Sequence, residues 1–221
     1  SPTSEKSIPD LATDDILSYE KAPILKKRVI GKDDVNIAAM IKKLGNSDWV
    51  REGRGFYDVN QGVCPFCQQA TTDVFAKSLT DYFDEVFEAD SKAIDDLIGS
   101  YKPASARLQQ QLTAIIADPC RFLEVEKIKG EKELLDSRIM VNIQRLTSKK
   151  KEPSQVIDLE SIDNIITRIK EIIDGTNVQV GKHNTTVANL TQERRNLTAQ
   201  VWKYLLEIEL KTDLESYKTR R

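Results

Sequence analysis

Cys64-Pro65-Phe66-Cys67 is the segment whose residue types and spacing could do chemistry most directly. Two thiolates two residues apart, on a turn preceded by Gly62, supply half of a tetrahedral zinc site. Completion needs two more ligands, either the same motif in another chain or Cys120 with His183 in this one. Two other readings stand beside zinc. The pair could be an unliganded packing feature. It could also be a redox dithiol, since Cys-Pro-aromatic-Cys serves that role where a strand precedes it and a helix follows. Cys120 follows Pro119 in an apolar stretch and reads as a small buried residue. His183, the single histidine, falls on a helical seam and reads as a polar register residue. Lys149-Lys150-Lys151 reads as a solvated turn, with phosphate contact as the alternative. Trp49 reads as a core anchor.

Other chemistry is absent from the sequence. Gly31-Lys32 is followed by Asp33, so no phosphate-cradling G-x-x-x-x-G-K-[ST] loop forms. With one histidine, no Ser/His/Asp or Cys/His constellation can be assembled. The chain by itself is therefore not expected to be an enzyme. Thirty-three Lys+Arg against 35 Asp+Glu leave a net charge of −2, so no overall field draws it to nucleic acid or anionic membrane. Three cysteines cannot all pair, which argues for a reducing, cytoplasmic compartment. The chain starts at Ser1 and ends within a helical pattern, so it is expected to be a piece of a larger protein.

The elements that must position these residues are helical. Charged residues make 31% of the chain and Gly plus Pro only 16 of 221, a composition of long amphipathic helices, with no apolar run able to cross a bilayer. Residues 1–32, broken by Pro2, Pro9 and Pro23, should be disordered or wrap over a neighbour. Short helices are expected over 33–44 and from an N-cap at Ser47. A helix over 71–98 should be interrupted by Gly99–Pro103, resume at Ser105 and kink or shift phase at Asp118-Pro119. The clearest signal is Ile162, Ile166, Ile169, Ile173, Thr176, Val180, His183, Val187, Leu190, Arg194, Leu197, Val201, Tyr204 and Ile208, alternating in steps of four and three. That heptad frame is a coiled-coil strand. The expected fold is all-α: a long antiparallel coiled-coil hairpin (71–221, turning near 149–153) after an N-terminal region of two short helices and the CPFC knuckle (1–70). Since CPFC precedes both arms, it is expected at their root, opposite the turn.

Val29-Ile-Gly-Lys-Asp-Asp34, Leu44-Gly-Asn-Ser-Asp-Trp-Val-Arg-Glu-Gly53, Cys64-Pro-Phe-Cys-Gln-Gln69 and Leu79-Thr-Asp-Tyr-Phe83 together resemble the central insertion of bacterial ABC-type AAA ATPases, the RloC and PrrC relatives of anticodon nucleases. Lys182-His-Asn184 through Trp202-Lys-Tyr-Leu-Leu206 resembles the returning coil of the same insertion, so the likeness covers about 28–216. It implies an interaction and regulatory arm linked to anticodon nuclease or phage defence, with ATP bound only by the flanking head of the parent chain. It also implies Cys64 and Cys67 as zinc ligands in a hook, with a homodimer through the CxxC or the coils. The alternative is an arm that holds tRNA or DNA through basic residues.

Overall fold

The computed structural model describes residues 3–64 and 66–219. They form α1 (Asp14–Tyr19), a 3-10 turn (Pro23–Leu25), α2 (Ala38–Leu44), α3 (Ser47–Val59), α4 (Asp73–Tyr82), α5 (Glu85–Ala117), α6 (Val125–Lys151), α7 (Asp163–Tyr204), a π turn (Leu205–Glu209) and α8 (Lys211–Thr219). The fold is all-α. Among the described residues, β pairing is limited to one isolated bridge, Val63 with Ala70.

Three long helices make the body, not two. α5 and α6 run antiparallel, tied by Gln109 to Asp136 (2.9 Å), Asn142 to Tyr101 (2.9 Å) and Lys150 to Asp95 (2.8 Å). α6 and α7 are antiparallel in turn, with Arg168 gripping both oxygens of Glu131 at 2.7 and 2.8 Å. Asp118-Pro119 therefore opens a full turn back rather than a kink, and the second reversal follows Lys151. By contrast, Gly99–Pro103 interrupts nothing: Pro103 lies within continuous α5. An interior proline costs roughly 3 kcal/mol. Tyr101, Ala104 and Leu108, all buried, hold the helix together across it. The expected 71–98 helix instead breaks at Phe83, and Asp84 caps α5 by accepting from the N–H groups of Val86 and Phe87.

The heptad seam of α7 is buried from Ile162 through Val187, apart from half-buried His183, with Ile165 beside it. Beyond that point α6 has ended, and Leu190, Leu197, Val201, Tyr204 and Ile208 are exposed. Residues 3–29 wrap the bundle. Asn177 and Asn184, two turns apart on α7, each hold the extended strap at both backbone groups: Asn184 at Glu5 and Asn177 at Ile8. Ile8, Leu11, Ile16 and Leu25 then enter the main core with α5, α6 and α7.

A second core gathers Val29, Ile37, Ile41, Val50, Tyr57, Leu79, Tyr82, Phe83, Phe87 and Ile94. Both cores draw residues from either side of position 70. Gly31 is required here, because a Cβ would lie 2.2 Å from the Tyr82 ring. Asn46, not Ser47, caps α3 by accepting from the Trp49 N–H at 2.9 Å.

Two buried polar nodes fix the crossings. Lys149 is fully buried rather than solvated, donating to the carbonyls of Lys27 (2.6 Å), Pro153 (2.9 Å) and Gln155. Burial holds its ammonium below the usual lysine range, against the pull of Asp48 and Asp90. At the bundle's middle, Asn142 pairs with both backbone groups of Glu160 and donates to the Tyr101 hydroxyl. Glu20 accepts there from the Ile162 N–H.

Candidate metal centre

The CxxC loop is built by the end of α3. After Val59 the chain turns through Gln61 (φ 54°) and Gly62 (φ 80°), left-handed geometry that suits glycine at the second position. Thr71 then closes the loop: its N–H and hydroxyl both donate to the Gly62 carbonyl, and the hydroxyl lies 2.6 Å from the Tyr57 hydroxyl. Within this frame Cys64 N–H donates to Gln69 O (2.9 Å), and Gln68 N–H donates to Cys64 O (2.8 Å). Gln68 takes φ 57°, which lets the chain reverse in so few residues.

This folding aims backbone donors at one sulfur. The N–H of Cys67, then that of Phe66, then the Cys67 thiol hold the Cys64 thiol below its ordinary 9.0, against a smaller opposing effect of burial. Donors to sulfur favour the thiolate, the form that binds metal or attacks a disulfide. Both cysteines are free thiols, Cys64 half-buried and Cys67 exposed. Among the described residues no group of three or more His, Cys, Asp or Glu side chains converges. The loop thus provides two soft ligands and no third. Among the described residues the loop lies between helices α3 and α4, without the preceding strand that a redox dithiol framework has.

Cys120 and His183 do not complete the set. The α3 region sits on the 152–162 connector: Arg51 donates to the Lys151 carbonyl (2.7 Å), and Asp48 accepts from the Ser154 N–H (3.2 Å). Cys120 and His183 lie at the other reversal, His183 against the Phe122 ring (centroids 5.4 Å) and the Thr3 carbonyl (3.0 Å). The 27 residues of α6 separate the two ends, about 40 Å at 1.5 Å per residue. The same observation reverses the expected position of CPFC. It lies at the 149–153 end, not opposite it, because the chain crosses the bundle three times after the knuckle.

Beside the loop, α2, α3 and α4 leave an apolar groove of about 270 Å³. Trp49 stacks on Phe66 at its rim (centroids 6.0 Å) and is 50% exposed, so it is a surface aromatic rather than a core anchor. Nothing in the local sequence marked this groove, because its walls come from separate elements. No described helix is long and apolar enough to cross a membrane.

The family model described as an AAA domain matches residues 2–221. The chain therefore belongs to the AAA domain family and is an ATPase-associated protein. No curated protein and no solved structure matches it.

Proposed function

We propose that this chain is a stiff regulatory arm of an ABC-type AAA ATPase, whose Cys64–Cys67 knuckle shares one zinc ion with the same pair of a second copy. The observation that carries this reading is the knuckle itself, with Cys64 sulfur facing two backbone donors and two ligands supplied where four are needed. Its position supports the arm: the knuckle caps one end of the bundle, while the Thr3–Ile8 strap and the exposed half of α7 occupy the other. Three packed helices transmit a displacement over that distance because interdigitated side chains have discrete packings. Joining or releasing two knuckles would thereby bias the geometry of the flanking ATPase head, where ATP binds. The tie to anticodon nuclease and phage defence rests on the likeness of 28–216 to the RloC and PrrC insertions. Metal analysis with light scattering tests the reading. Protein purified without chelator should hold one zinc per dimer, and Cys64→Ser with Cys67→Ser should be metal-free and lose zinc-dependent dimerisation. Wild-type chain that stays metal-free and monomeric after refolding with zinc would overturn it.

A further inference from the structure

The groove beside the knuckle is open where a core would be closed. Met40 is 49% exposed, Leu44 54%, Trp49 50% and Phe66 77%, all on one face. The charged residue of its wall, Arg54, is paired with Asp58 at 3.6 Å and Glu88 at 3.8 Å. The face is therefore apolar, with its neighbouring charge already neutralised. These four exposed side chains, with the edge of Phe75, make a contiguous apolar patch on the order of a few hundred Å², the size that on a monomer marks a contact site.

We infer that Met40, Leu44, Trp49 and Phe66 form the contact face for a second copy of this chain, packed around paired knuckles; the inference rests on the reading that the two thiol pairs share a metal. Cys64 and Phe66 themselves line the groove, so whatever meets the thiolates also covers the apolar face. A second copy across a two-fold axis brings the two missing thiolates and an equal apolar face in one step. Area sets the strength. Even fully buried, two such patches reach at most about 1,000 Å², the lower bound of a specific interface, so the face alone gives a weak dimer. Metal bridging adds to it by holding the faces at high effective concentration.

Sedimentation of wild type, Met40→Glu, Trp49→Glu and the Cys64→Ser/Cys67→Ser variant, with zinc and with EDTA, tests this. Leu44→Glu replaces either charge variant if circular dichroism shows lost helix. The charge variants should weaken the zinc-dependent dimer at least tenfold, yet keep the cobalt thiolate absorption at high protein concentration. The double-serine variant should keep only a weak, metal-independent association, abolished by adding Met40→Glu. Charge variants that dimerise with zinc as tightly as wild type would overturn the contact face and leave the shared metal standing. Wild type that binds no metal, yet associates weakly through a contact blocked by Met40→Glu, would overturn the shared metal and leave the face standing. Wild type that stays monomeric at all concentrations would overturn both.

Discussion

Replacing Lys149 by Met tests whether the second reversal of the chain is held by a buried ammonium. The side chain has no exposed surface and donates to carbonyls from the strap (Lys27) and from the connector (Pro153, Gln155). Met preserves the apolar stem and removes the donors. The Pro153 carbonyl keeps its bond from the Val29 N–H, while the part-buried Lys27 and Gln155 carbonyls lose the donor that Lys149 supplies. Each carbonyl left short of a partner costs about 1–3 kcal/mol, while relief from burying a charge offsets part of the total. The net expectation is a loss of about 2–4 kcal/mol, roughly 5–15 °C in Tm for a chain of this size. Lys150→Met removes only the exposed pair with Asp95 and should cost under about 1 kcal/mol. Urea unfolding followed by circular dichroism measures both. Hydrogen exchange should in addition show faster exchange at Val29 and Ile157, whose N–H groups bridge strap and connector. Equal stability of the Lys149 and Lys150 variants would refute the reasoning.

Burial is the largest cause that pushes the Glu20 carboxyl from an ordinary 4.5 to about 7; Asp163 adds to the rise, and Ile162 N–H, Lys21 and Arg138 oppose it. The folded chain then binds a proton more tightly than the unfolded chain between those values. The Glu20 contribution to stability is accordingly full below about pH 4.5 and is lost as pH rises through 7, about 1–2 kcal/mol after solvent screening. Glu20→Gln should flatten that decline in a Tm series from pH 5 to 8. Pro103→Ala should raise stability by about 1–3 kcal/mol in chemical denaturation, since Pro103 is exposed inside a continuous helix. Ile173→Asp should unfold the arm at 37 °C, whereas Leu197→Asp, on the exposed part of the same frame, should leave the thermal midpoint of the isolated chain within a few degrees.

The α7 frame was legible because 3–4 spacing is a direct imprint of a buried helical stripe, and from Ile162 to Val187 that stripe is buried apart from half-buried His183. The same spacing says nothing about where a partner helix ends, so the exposed half of α7 reads identically. Asp118-Pro119 misled for a related reason. The patterns on both sides share one period, and residues 118–124 are enough to reverse the chain without a composition shift. Three crossings rather than two follow the knuckle, which is why it lies at the 149–153 end. Three consecutive lysines look alike in sequence; only the carbonyls around Lys149 separate it from its neighbours. The thiol pair was visible from its spacing, but the groove beside it joins Met40, Trp49 and Phe66 from three places in the chain.

Cobalt titration of the metal-free wild-type chain tests the central claim most directly, because cobalt reports ligand type, geometry and stoichiometry in one absorption spectrum. The shared knuckle predicts tetrahedral d–d bands with strong sulfur-to-metal charge transfer, rising to an end point at one metal per two chains. An end point at one metal per chain, or a spectrum that remains that of hydrated cobalt, would contradict it.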